Sequence, residues 1–183
     1  MNTMIGKSVM LRLVSTDDAA FIYSLRTDPR YNRYLSRVDG TVENQRQWIE
    51  AYKLREQAGA EYYYIIARKS DGEPIGTVRL YDFRGEHDSF CWGSWVVKAE
   101  PRAQLAAVES AMLVYELGFC VLGFKASHFE VMKGNDSVMR FHSLFGATVT
   151  HEDETRRFFT VTPARLKRVG LPRQSCDAVK EAI

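Results

Sequence analysis

Apolar and polar side chains alternate from Ser8 to Val14 (SVMLRLV), the period of a strand. Thr16, Asp17 and Asp18 then offer an N-cap and an acidic first turn to AAFIYSLR, a helix that stops before Asp28-Pro29. A second helix, VENQRQWIEAYKLREQ, has Thr41 as its cap and Gly59 as its stop. The pattern then turns β-rich. YYYIIARK reads as a strand, Asp71-Gly72 as a turn, and IGTVRLYDF as a strand that pairs back. After RGEHD, SFCWGSWVVK is again β-like. Leu105, Val108, Met112, Tyr115 and Phe119 recur at helical spacing. KASHFEVM alternates, SVMRFHSLF between Asn135-Asp136 and Gly146 reads as a short helix, and TVTHEDETRRFFTVT reads as a hairpin with an acidic turn.

The order is β-α-α-β-β-β-α-β-α-β-β. Three strands on short links predict an antiparallel meander, and the long helix before KASHFEVM makes that step a parallel crossover. The expected fold is α/β of the α+β kind: a mixed, mostly antiparallel six- to seven-stranded sheet with helices on both faces, not a doubly wound one. Trp92 and Trp95 are an odd spacing apart, so a regular strand sends them to opposite faces, one into the core and one to a cleft.

Composition narrows the classes. The 183 residues suit one domain, and 45% hydrophobic with 26% charged residues excludes disorder as the main state. A net charge of +2 argues against a nucleic-acid wrapper or a polybasic membrane binder, so neither partner is expected. Cys91, Cys120 and Cys176 form no CxxC pair and are odd in number; no disulfide framework is expected, and a reducing, cytoplasmic setting is. The first residues carry no signal-peptide pattern, and no ligand spacing for a metal appears. Residues 1–162 read as the domain. The tail, 163–183, is basic at first (Arg165, Lys167, Arg168, Arg173) and could cross the sheet, mediate a homodimer or stay mobile.

Three segments carry a family resemblance. The first runs from Trp95 to Ala107 (WVVKAEPRAQLAA), a strand feeding a helix. The second is NDSVMRFHSLFGA, Asn135 to Ala147. The third is the front end, SLRTDPRYNRYLSRVDGTVENQRQWIEAY. Together they resemble the GNAT superfamily of N-acetyltransferases, in the branch of ribosomal-protein N-terminal and sugar-amine enzymes. The resemblance implies acetyl-CoA as cosubstrate and direct attack by a neutral amine. It assigns the pyrophosphate to the amides of Arg102, Ala103, Gln104, Leu105, Ala106 and Ala107, at a strand end feeding a helix N-terminus. Leu105 stands where the family usually has glycine, so its side chain is expected to turn into the core. The pantetheine arm is expected along Trp95, Val96 and Val97, where a strand N–H can face the thioester oxygen, with Asn135 nearby. Gly93, just upstream, matches the family's bulged strand.

His142 occupies the family's usual tyrosine position and is the expected proton donor to the thiolate. His128 and Glu130 share one face of KASHFEVM, and either, or water, could take the amine proton. The loop with Arg30, Tyr31, Arg33 and Tyr34 is the expected acceptor wall, suited to phosphate or carboxylate groups and a ring. A nucleotide-linked amino sugar fits that description, and a peptide N-terminus is its rival. A non-catalytic acyl-CoA-binding module is the alternative outside the enzyme class.

Overall fold

The computed structural model describes residues 3–32, 38–99, 103–166 and Cys176. Eight strands form one sheet: β1 (Met4–Ile5), β2 (Val9–Leu13), β3 (Tyr62–Arg68), β4 (Pro74–Arg84), β5 (Ser89–Val97), β6 (Ala126–Met132), β7 (Thr148–Glu152) and β8 (Arg156–Val161). Their order is β1-β2-β3-β4-β5-β6-β8-β7. Every neighbouring pair is antiparallel except β5–β6, the parallel step that the long helix demands. The strand count exceeds the expected six to seven because the two-residue β1 is too short to show a period.

The helices are α1 (Ala19–Thr27), α2 (Val42–Gln57), α3 (Ala103–Glu116) and α4 (Asp136–Leu144). Thr41 caps α2 with its hydroxyl on the Asn44 amide while Asn44 returns to the Thr41 amide, so both ends of the local box are satisfied. Gly59, at φ 69°, ends it. The five-residue run Tyr63–Ala67 is buried on both faces. Tyr63, Ile65 and Ala67 pack with Ile22, Ile49 and Tyr52 under α1 and α2. Tyr64 and Ile66 join the larger core with Met112, Tyr115, Phe90 and Phe129.

α3 continues into a π-turn, Leu117–Val121. Gly118 there lies against the Phe90 ring, where any Cβ would collide with the ring. Glu109, buried in α3, accepts the amides of Lys7 and Ser8 and the Ser8 hydroxyl, tying helix to β-hairpin. Cys120 is joined to Cys176 by a disulfide, against the expectation of none; the odd count hid it, because only Cys91 is left as a buried free thiol. Among the described residues one stretch, Ala103–Val121, has the length and apolarity to cross a bilayer, and 67% of it is buried inside this fold as a core helix is.

Candidate active site

The β4–β5 ladder is irregular where it matters. Arg79 pairs with Gly93 and Thr77 with Val96, so Ser94 and Trp95 together oppose Val78. Ser94 takes φ 48°, a left-handed conformation unusual for a serine, and its carbonyl accepts the buried Thr77 hydroxyl at 2.9 Å. The extra residue reverses the strand's parity. Trp92 and Trp95 therefore lie together, ring centroids 5.6 Å apart and edge to face, instead of on opposite faces as expected.

β5 and β6 pair only at Ser89–Ala126 and Phe90–Ser127. Beyond Phe90 the strands part, and a cavity of about 680 Å³ opens there. Its wall includes Trp92 to Trp95 from β5, Phe129 to Met132 from β6, and Asn135, Ser137, Val138 and His142 at α4. Arg26, Tyr31, Tyr81 and Cys91 line the cavity as well, with Arg156 beside Glu130.

The residues expected at the site divide between this cavity and the surface around it. Trp95 lines the cavity and donates its indole N–H to Ser110 at 3.2 Å. Val96 is buried and Val97 is half-buried. α3 begins at Ala103, so its unpaired first amides come from Ala103 to Ala106. Ala106 is buried, Ala107 is half-buried and Gln104 is exposed. Leu105 is 63% exposed: it points to solvent, not into the core, because Ala106 occupies the inward position of that first turn. Asn135 precedes α4 but makes no cap bond; its buried Oδ1 accepts the Ser137 hydroxyl at 3.2 Å, and it borders the cavity. Arg102, Arg33 and Tyr34 lie outside the described residues.

His142 is only 6% exposed and packs 4.1 Å from the Phe129 centroid and 5.1 Å from that of Trp92. Its Nδ1 is buried without a hydrogen-bond partner. Burial among aromatic rings pushes its pKa down to about 3, so the ring is neutral near pH 7. Glu130 faces the cavity and is held by Arg156. His128 does not face it: Ser89 Oγ lies 2.9 Å from Nδ1 and Asp82 Oδ2 2.9 Å from Nε2, occupying both nitrogens. Arg84 and then His128 hold the Asp82 carboxyl below its ordinary range. Arg30 is turned outward onto Asp28, while Tyr31 reaches the cavity and its phenol oxygen accepts the Ala99 amide at 2.9 Å.

Sequence reasoning missed Arg26, Tyr81, Cys91 and Arg156 as wall residues. Tyr81 and Cys91 are register partners across β4 and β5. Only knowledge of that pairing could have placed them together.

A mixed sheet split beside its parallel step, with a bulge at the split and a helix following the bulged strand, is the arrangement of the GNAT class of fold. The chain belongs to that acetyltransferase family: the profile of the acetyltransferase (GNAT) domain matches residues 8–161. Among solved structures it is similar to apo FdhC, a nucleotide-linked sugar GNAT, with 48% identity over 90% of this chain and 92% of that one and a TM-score of 0.82. The ribosomal-protein-S5-alanine acetyltransferase of Vibrio fischeri shares the fold at 13% identity, with 91% and 100% covered and a TM-score of 0.77. Spermidine N-acetyltransferase from Vibrio cholerae, solved with CoA and spermine, shares it at 15% identity, with 87% and 98% covered and a TM-score of 0.74. No curated protein matches the chain in sequence.

Proposed function

We propose that this chain transfers an acetyl group from acetyl-CoA to the primary amine of a nucleotide-linked amino sugar. The observation that carries the reading is the 48% identity, along 90% of the chain, to a nucleotide-linked sugar GNAT. The cavity suits such an acceptor. Arg26 and Arg156 both line the cavity, and guanidinium groups match phosphate oxygens in pairs. Tyr31 adds a ring for a base or sugar face.

The site also fits the cosubstrate. The parted edge of β5 offers backbone groups to an amide-bearing arm, as an added strand would. The bulge at Ser94 redirects the backbone toward the cavity, where a strand N–H can stabilise the oxyanion. Asn135 and Ser137 supply polar contacts at the other edge. The first amides of α3, from Ala103, would meet the pyrophosphate, with Leu105 exposed beside them. His142, neutral and packed against Trp92 and Phe129, shapes the apolar wall of the cavity. Glu130 is the carboxylate within the cavity that can orient the amine.

The test measures free thiol released from acetyl-CoA with four amines: a nucleotide-linked amino sugar, the same sugar without nucleotide, a peptide N-terminus and spermidine. Turnover on the first, with kcat/KM at least ten times that on the others, is expected. Preference for the peptide overturns the acceptor, and CoA binding without turnover on any amine overturns the enzyme reading in favour of a binding module.

A further inference from the structure

We propose that Tyr81 carries the proton from the attacking nitrogen to the departing sulfur. This rests on the transferase reading above. Tyr81 lies on β4 directly across from Cys91, and its ring lines the cavity. A Cβ at Gly93 would stand 3.0 Å from the phenol oxygen and 3.4 Å from Cε1. The bare α-carbon therefore lets the hydroxyl lie flat on β5, immediately ahead of the Ser94 bulge. That places a hydroxyl beside the stretch of strand where the thioester is expected.

The ring is braced from behind. The Arg79 guanidinium sits 5.0 Å from its centroid and 5.5 Å from that of Trp48. Arg79 is held by Glu61, a buried carboxylate that also binds Arg55 of α2. The phenol thus has a fixed position before any ligand enters.

The other candidates are unsuited to donate. His142 is neutral down to about pH 3, so its cationic form is absent at neutral pH. His128 has both nitrogens engaged, and Glu130 is paired with Arg156. A phenol keeps its proton at neutral pH, and burial, then the neighbouring Cys91 thiol to which it is hydrogen-bonded, push the Tyr81 hydroxyl further upward.

The step balances. The amine lone pair forms the N–C bond, and the carbonyl π pair moves to oxygen. Re-forming C=O breaks C–S and leaves the pair on sulfur. The Tyr81 proton moves to that sulfur, giving the thiol. The phenolate takes the surplus proton from the new amide nitrogen, and Tyr81 ends as it began. No separate base and no redox partner is needed.

Tyr81→Phe should lower kcat about 100-fold, the scale of a lost proton-transfer group, with CoA affinity by calorimetry and acceptor KM within about threefold of wild type. Gly93→Ala should lower kcat in wild type but add little in Tyr81→Phe, where the clashing oxygen is gone. Replacing Tyr81 by 3,5-difluorotyrosine keeps the ring and should move the alkaline limb of kcat to lower pH. The proposal is overturned if Tyr81→Phe keeps a third or more of kcat, if its rate loss is matched by lost CoA affinity, or if the fluorinated enzyme shows an unmoved pH profile. All three are run on whichever amine the wild type accepts, so failure of the acceptor reading is seen separately.

Discussion

Two blocks of sheet meet in this molecule, and they are joined very differently inside than between. From Met4 to Val97 five strands pair antiparallel, with α1 and α2 on one face. From Ala126 to Val161 three more strands do the same. Between the blocks only Ser89–Ala126 and Phe90–Ser127 pair. Each block satisfies its own backbone, so the seam can stay open where a ligand needs edges. The cost of that opening falls on the few side chains at the junction.

Phe90 is the largest of them. It is fully buried, touches Phe119 and Phe124, and lies on Gly118. Phe90→Ala should cost about 3–5 kcal/mol in denaturant unfolding, the heaviest loss expected from a single truncation at the seam. A loss below about 1 kcal/mol would show that the blocks do not depend on this contact.

His142 reports on the second block. Its native pKa is depressed to about 3 from an unfolded value near 6.5. The stability tied to its neutral form is complete above about pH 6.5 and drains away as pH falls toward 3, because the unfolded chain binds the proton first. Near pH 4 the linked loss is about 3 kcal/mol. His142→Phe should flatten that slope, and equal acid sensitivity in both proteins would sink the idea.

Glu61 plays the matching part in the first block. Glu61→Gln weakens its bonds to Arg55 and Arg79, and because both arginines reach water the cost should be about 1–3 kcal/mol by thermal unfolding. Its kcat should fall as well, since the brace behind Tyr81 loosens. The least effect belongs to the rim: Arg30, whose side chain is 73% exposed, should leave thermal unfolding unchanged as Arg30→Ala.

Local signals carry most of the fold. α2 is legible end to end because Thr41 and Gly59 mark it chemically, and the final hairpin because Arg156–Val161 and Thr148–Glu152 flank an acidic turn. What escapes depends on pairing at a distance. Gly93 announces a bulge, but which residue FCWGSW adds, and so which way Trp95 points, is settled only by the pairing with β4. Arg26, Tyr81 and Arg156 converge from three elements, so no spacing in the chain could group them. Leu105 turns outward against expectation because helical period alone leaves its face undecided until α3 docks on the sheet.

The link from Cys120 to Cys176 spans 56 positions and encloses α4 and all of β6, β7 and β8. A protease that nicks the exposed Asp153–Thr155 turn would therefore release nothing: the two pieces migrate as a single band until a thiol reductant separates them.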